Sequence, residues 1–146
     1  MAATYRLSRS RRMANAVVRL LLRWGLGPPH TYLLTVRGRR SGRPVSTPVT
    51  LVEEGGLRWL VAPYGDVGWV RNAREAGEVT LSRGGRAEAV VVLELEPAEA
   101  APVLQRYVRQ VRITRPFFDA TPQSEVAAFL TEAARHPVFR VVATTP

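Results

Sequence analysis

The chain's 146 residues suffice for one domain with a sizeable core, and no apolar run nears the roughly 18 residues a membrane span requires. It has no cysteine and only two histidines, His30 and His136, which excludes disulfides, thiolate metal sites and a cysteine nucleophile; no metal is expected. Net charge is +9, every cation is an arginine, and ten of the 21 precede Glu53, the first acidic residue, so that half attracts phosphates, polyanions or anionic lipid headgroups. The absence of lysine reflects G- and C-rich codon usage more simply than it reflects function.

Residues 1–11 read as a basic, mobile segment, and 12–146 as a single domain. From Arg12 to Trp24 the apolar residues Met13, Val17, Leu20, Leu21 and Trp24 recur at helical spacing with Arg19 and Arg23 between them, until Gly25, Gly27 and Pro28-Pro29 stop the helix. Such a face commonly packs on its own domain; the alternative is a membrane surface. Strands follow over Thr31–Val36, Val45–Val52 and Leu57–Ala62, with Glu53-Glu54-Gly55-Gly56 as a turn. A short helix spans Val67–Ala76. Val79–Ser82 and Ala87–Leu95 flank a Gly84-Gly85 hairpin signal. Pro97 opens a helix reaching about Arg109, and a second covers Ser124–Ala134, capped at Thr121 or Ser124. Val138–Ala143 is the last strand. Consecutive hairpins with helices inserted late predict an antiparallel α+β barrel.

Two segments carry chemistry. Arg37-Gly38-Arg39-Arg40-Ser41-Gly42-Arg43-Pro44 sits at a hairpin tip, where guanidinium forks and glycine-permitted backbone N–H groups suit an anion. The bland alternative is a solubilising turn. The second runs Val61-Ala62-Pro63-Tyr64-Gly65-Asp66-Val67-Gly68-Trp69-Val70-Arg71-Asn72: a strand leaves through a Pro/Gly turn and enters a helix with Trp69 and Asn72 on one face. Judged alone, Trp69 is a core residue more often than a ligand wall.

A strand into Gly-Arg-Arg-Ser-Gly-x-Pro, a following strand with Thr-Pro, a strand ending Val-Ala-x-x-Gly and then Trp-x-x-Asn resembles the deazaflavin-dependent nitroreductase family, over about residues 13–143. The resemblance implies an antiparallel split β-barrel of the FMN-binding type with flanking helices, the deazaflavin coenzyme F-420 in preference to FMN, and the actinobacterial lineages whose composition this chain shares. It implies that Arg39, Arg40, Ser41 and Gly42, with Arg37 and Arg43 beside them, hold the cofactor's phosphate and acidic tail. Thr47 and Pro48 then line the deazaflavin, Ala62, Pro63, Tyr64 and Gly65 contact its ring system, and Trp69 and Asn72 support the pocket. Many members carry serine where Pro63 stands and a longer Gly-rich loop before the tryptophan. Pro63 has neither a hydroxyl nor an N–H, so ring contacts at this turn are expected to differ.

The expected function is therefore hydride transfer from reduced deazaflavin to an electron-poor small molecule, a quinone, enone or nitro compound, by a cytoplasmic or membrane-associated monomer or homodimer. No protein nucleophile is expected: there is no cysteine, histidines are only two, His136 lies far in sequence from both motifs, and Tyr64 and Arg71 are the candidates to stabilise developing charge. Tyr107, Phe117 and Phe118 are candidates for the substrate wall. Two other classes compete: a non-catalytic deazaflavin, flavin or lipid binder on the same barrel, and a basic nucleic-acid-binding domain, which lacks the stacking aromatics and base-reading helix such a domain needs.

Overall fold

The computed structural model describes residues 9–144. Its elements are α1 (Arg9–Arg23), β1 (Thr31–Arg37), β2 (Pro44–Glu54), β3 (Leu57–Val61), α2 (Gly68–Ala76), β4 (Glu78–Arg83), β5 (Arg86–Glu94), α3 (Pro97–Gln110), α4 (Val126–Glu132) and β6 (Val138–Ala143). Two single 3-10 turns, Arg115–Phe117 and Ala133–Arg135, flank α4. Residues 1–8 of the basic N-terminal segment lie outside the described residues, while 9–11 already belong to α1.

The six strands form a closed antiparallel barrel in the order β1-β2-β3-β6-β5-β4, sealed where β1 pairs β4. This is the antiparallel α+β barrel that the hairpin pattern predicts, and the split-barrel fold that the resemblance implies. Side chains alternate across a strand, and three strands use both faces. Leu51, Leu60 and Phe139 point into the barrel with Leu34, Val90 and Leu81, and α2 adds Val70 and Ala73 to that core. Their neighbours Val52, Val61 and Val138 point outward, into a second core under α3 and α4 built on Leu104, Val108 and Phe129. Each such side chain contributes about 1.5–3 kcal/mol by leaving water. The second core is where the chain departs from the expected substrate wall. Tyr107 and Phe118 belong to it and Phe117 is buried beside it, so all three are packed in the interior.

The cap expected at Thr121 or Ser124 is also different. The Ser124 hydroxyl accepts the Thr121 N–H at 2.8 Å and closes a turn, and α4 starts at Val126 without a side-chain cap.

Most of the apolar face of α1 does not pack on the domain, although Leu21 is half-buried. Met13, Val17, Leu20 and Trp24, at helical spacing, are 66%, 53%, 57% and 74% exposed; among the described side chains of the helix Leu22 is the buried one. The helix is held by its C-terminal end. The Gly84 N–H donates to Leu22 O at 2.8 Å, and the Arg83 guanidinium donates to the carbonyls of Gly27, Pro28 and Thr31 at 2.7–3.2 Å. Two glycines permit this approach: a Cβ at Gly84 would stand 3.1 Å from Gly25 Cα. Both Gly84 and Gly85 have positive φ, as their two-residue hairpin requires.

Gly84→Ala and Gly85→Ala therefore separate two effects. Both incur the left-handed cost of about 1–2 kcal/mol in urea unfolding, but only Gly84→Ala pushes on Gly25. Trypsin should cut at Arg19 and Arg23 faster in Gly84→Ala than in Gly85→Ala.

Candidate cofactor site

The hairpin between β1 and β2 closes on itself. Gly38 N–H donates to Arg43 O at 2.8 Å, Gly42 N–H to Gly38 O at 2.9 Å, and Arg43 N–H to the Ser41 hydroxyl at 3.2 Å. Gly42 takes φ +72°, and a Cβ on Gly38 would stand 2.8 Å from Ser41 Oγ and 3.1 Å from Arg43 O, so both positions favour glycine. The glycine amides thus serve the turn. Among the described residues the backbone N–H groups of Arg40 and Ser41 have no protein acceptor and remain for an anion.

Asn72 joins the two sequence motifs. It is buried on α2, and its Oδ1 accepts both the Arg39 backbone N–H at 3.0 Å and the Arg39 guanidinium at 2.8 Å. Those two donors fix the amide's orientation and leave Nδ2 without a protein acceptor among the described residues, yet not sealed from solvent. Arg39 also reaches Gly68 O at 3.4 Å. Its guanidinium is part of the scaffold, not a free charge like that of exposed Arg40.

Between hairpin and helix lies a cavity of about 390 Å³ lined by Arg37, Arg39, Arg40, Ser41, Asn72 and Glu75, with Gly38, Gly42 and Ala76. Arg43 is exposed and outside this lining. Glu75, which no motif pointed to, is its one acid and repels an anion from the α2 side toward the hairpin. A larger cavity of about 760 Å³ next to Tyr32, Arg58, Arg83 and Arg86 is a poorer anion site. There Arg58 is paired with Glu88 at 2.6 Å and Arg83 is spent on carbonyls.

The second motif lies on the same helix. Ala62 and Pro63 are buried at the end of β3, with Ala62 N–H donating to Pro137 O at 2.8 Å. Gly65 turns the chain at φ +84°, and Tyr64 sits edge-on to Phe117 with centroids 4.8 Å apart. Trp69, one turn before Asn72, is half-buried against Phe139. Arg74 pairs with both Asp66 and Glu94 at 2.6 and 2.8 Å, tying the turn and α2 to β5. Arg71 points outward, exposed between buried Val70 and Asn72. The strand register places Thr47 opposite Leu34, on the barrel-interior side, and Pro48 opposite Leu33 on the other, so the pair cannot line one surface together.

Sequence reasoning missed His136. Though 73 residues from Pro63, its Nδ1 lies 2.9 Å from the Pro63 carbonyl, and its Nε2 lies 2.9 Å from Glu132 Oε1. The one available signal is the i, i+4 spacing of Glu132 and His136. Burial pushes the Tyr107 hydroxyl well above the usual phenol range, which with its place in the core removes it as a proton source.

Residues 4–127 match the model of the family described as F-420H(2)-dependent quinone reductase. The chain belongs to that family. Among solved structures it is similar to an F-420-H2-dependent reductase (FDR-A), at 26% identity over 77% of this chain and 94% of that one, with a TM-score of 0.55. It also resembles a domain-swapped dimer at 22% identity over 92% and 99% of the two chains, TM-score 0.56. A further likeness is to a pyridoxamine 5'-phosphate oxidase homologue from Listeria innocua, at 11% identity over 80% and 85%, TM-score 0.53, which shares the fold. No curated protein sequence matches it. The chain is an F-420-dependent reductase, and coenzyme F-420 is the cofactor of its family. The donor set fits that cofactor's anionic end: the cationic forks of Arg37 and Arg40 and the residues carrying the two unpaired amides line one cavity.

Arg39→Ala deletes a guanidinium that Asn72 needs and should lower unfolding stability by about 1–3 kcal/mol. Arg40→Ala, at an exposed tip, should leave it within about 0.5 kcal/mol. Equal effects in urea titration would mean that the Arg39–Asn72 clamp bears no weight.

Proposed function

We propose that the hairpin cavity holds the phosphate and acidic tail of F-420, and that the 62–65 turn and Trp69 flank its ring, with an electron-poor quinone, enone or nitro compound as acceptor. The observation that carries this is the convergence of Arg37, Arg40, two unpaired backbone amides and Asn72 Nδ2 on one cavity. Bound in reduced form, the deazaflavin supplies a hydride to an electron-poor carbon or nitro group. The chain's part is to bind, orient and exclude water. Arg37 and Arg40 anchor the tail, Asn72 sets the distance from anchor to ring through α2, and buried Ala62 and Pro63 form a dry floor. Tyr64, at the edge of that floor, stands where an acceptor would approach.

Fluorescence titration should show F-420 binding more tightly than FMN; FMN at least tenfold tighter would overturn the assignment. Arg37→Ala with Arg40→Ala should weaken F-420 by about 10–100-fold for each guanidinium removed, at 1.5–3 kcal/mol per charge-assisted bond, with little change in Tm. Asn72→Asp is the sharper variant. It still accepts from Arg39, so the fold should hold, but it replaces a donor to the anion by an acceptor and should weaken F-420 more than FMN, whose tail carries less charge.

A second reading concerns α1. Met13, Val17, Leu20, Trp24 and Leu26 form an exposed apolar stripe bordered by Arg12, Arg19 and Arg23, and no acidic residue lies on that segment. Among the described residues no helix is long and apolar enough to cross a membrane. We propose that this face lies on an anionic lipid surface, where apolar insertion and basic attraction add. Vesicles containing phosphatidylglycerol should sediment the protein and neutral vesicles should not, and Leu20→Glu should abolish the difference. A second copy is the rival occupant, since one structural relative is a domain-swapped dimer. A dimer by light scattering that Leu20→Glu dissociates, without vesicle binding by the parent, would replace the membrane reading.

A further inference from the structure

His136 is 3% exposed, stacked on Phe118 with ring centroids 3.9 Å apart, and both its nitrogens are engaged. Nδ1 faces Pro63 O at 2.9 Å; a proline carbonyl only accepts, so Nδ1 carries a hydrogen. Nε2 shares a proton with Glu132 Oε1 at 2.9 Å, and Nδ1–H is present whichever partner holds that proton. Glu132, 2% exposed, also accepts the backbone N–H of Asp119 at 3.0 Å and of Ala120 at 2.7 Å. Arg135, which pairs with Asp119 at 2.9 Å, stands 4.0 Å from the same carboxylate.

This arrangement leaves His136 no free nitrogen for a substrate, so it is not an acid or base for the acceptor. What it does hold is the backbone of the 62–65 turn. Ala62 N–H donates to Pro137 O, the next residue along from His136, and a Cβ on Gly65 would stand 3.3 Å from Arg135 O. Residues 135–137 thus cradle the turn, and the imidazole supplies the side-chain bond in that cradle. Pro63 has no N–H, so its carbonyl is the one backbone polar group through which this residue can be pinned.

We propose that His136, oriented by Glu132, is a positioning residue for hydride transfer: its Nδ1–H fixes the Pro63 carbonyl and with it the turn that carries Tyr64. The proposal rests on the placement of the deazaflavin ring against that turn. A misplacement on the ångström scale at such a surface costs up to about a hundredfold in rate.

Two substitutions divide the imidazole's functions. In His136→Asn the side-chain amide nitrogen occupies the place of Nδ1 and can still donate to Pro63 O, while the bond to Glu132 is removed. In His136→Gln the reach to Glu132 is kept and the donor to Pro63 is removed. Hydrogen exchange of the cofactor-free protein should quicken at the amides of residues 64 and 65 in His136→Gln, and His136→Asn should restore protection. With F-420 and a quinone acceptor, kcat should fall by about tenfold or more in His136→Gln at similar acceptor KM, and His136→Asn should recover most of it. Unchanged exchange at residues 64–65 in a folded His136→Gln protein overturns the proposal whatever the cofactor does. Parallel losses in both variants that track Tm also overturn it, by showing a general structural role. Faster exchange with unchanged kcat leaves the pinning intact but overturns its part in catalysis, and points to a fault in where the ring has been placed.

Discussion

The geometry of the site depends on one side-chain oxygen. Asn72 Oδ1 accepts the backbone and the guanidinium of Arg39 together, and so joins a hairpin tip that would otherwise wave in solvent to a helix that plugs the barrel. Val70 and Ala73, on either side of it, are fully buried in the barrel core, so the helix cannot shift without opening that core. A buried amide with its oxygen doubly satisfied is worth keeping, because an orphaned group costs about 1–3 kcal/mol. The arrangement also leaves Nδ2 without a protein acceptor among the described residues, on a residue that lines the cavity.

This coupling explains why four arginines at one tip are not equivalent. Arg37 and Arg40 line the cavity, Arg39 is bound into the scaffold, and Arg43 contributes its backbone to the turn. Asn72 Oδ1 accepts from the Arg39 guanidinium and Glu75 is the one acid lining the cavity, so the field at the tip is strongly positive. An anion of several charges is the ligand such a field favours most.

The barrel was legible in the sequence because its strands alternate between two different cores. Leu51-Val52 and Leu60-Val61 read as continuous apolar runs, and the Gly-Gly pairs between strands demand positive φ and so mark the hairpins. The anion hairpin was legible for the same local reason. The aromatic residues were not. Tyr107 and Phe118 sit on a helix and a loop whose inward face is decided by α4, and nothing within either segment states which side another helix will cover. The α1 stripe failed in the opposite sense: amphipathicity marks a face that avoids water, not the partner that covers it.

His136 shows the deeper limit. Its value comes from a contact with a carbonyl, and carbonyls have no letter in a sequence. Pro63 looked like a loss, a residue with neither hydroxyl nor N–H at a turn expected to contact the ring. In the folded chain the same position presents its carbonyl to an imidazole that is held in turn by a buried carboxylate. The turn is held by a donor that comes from the approach to β6 rather than from its own side chain. Rigidity at that point suits a reaction that asks the protein for alignment and dryness in place of a nucleophile, since the chemistry belongs to the cofactor and the protein sets only where it happens.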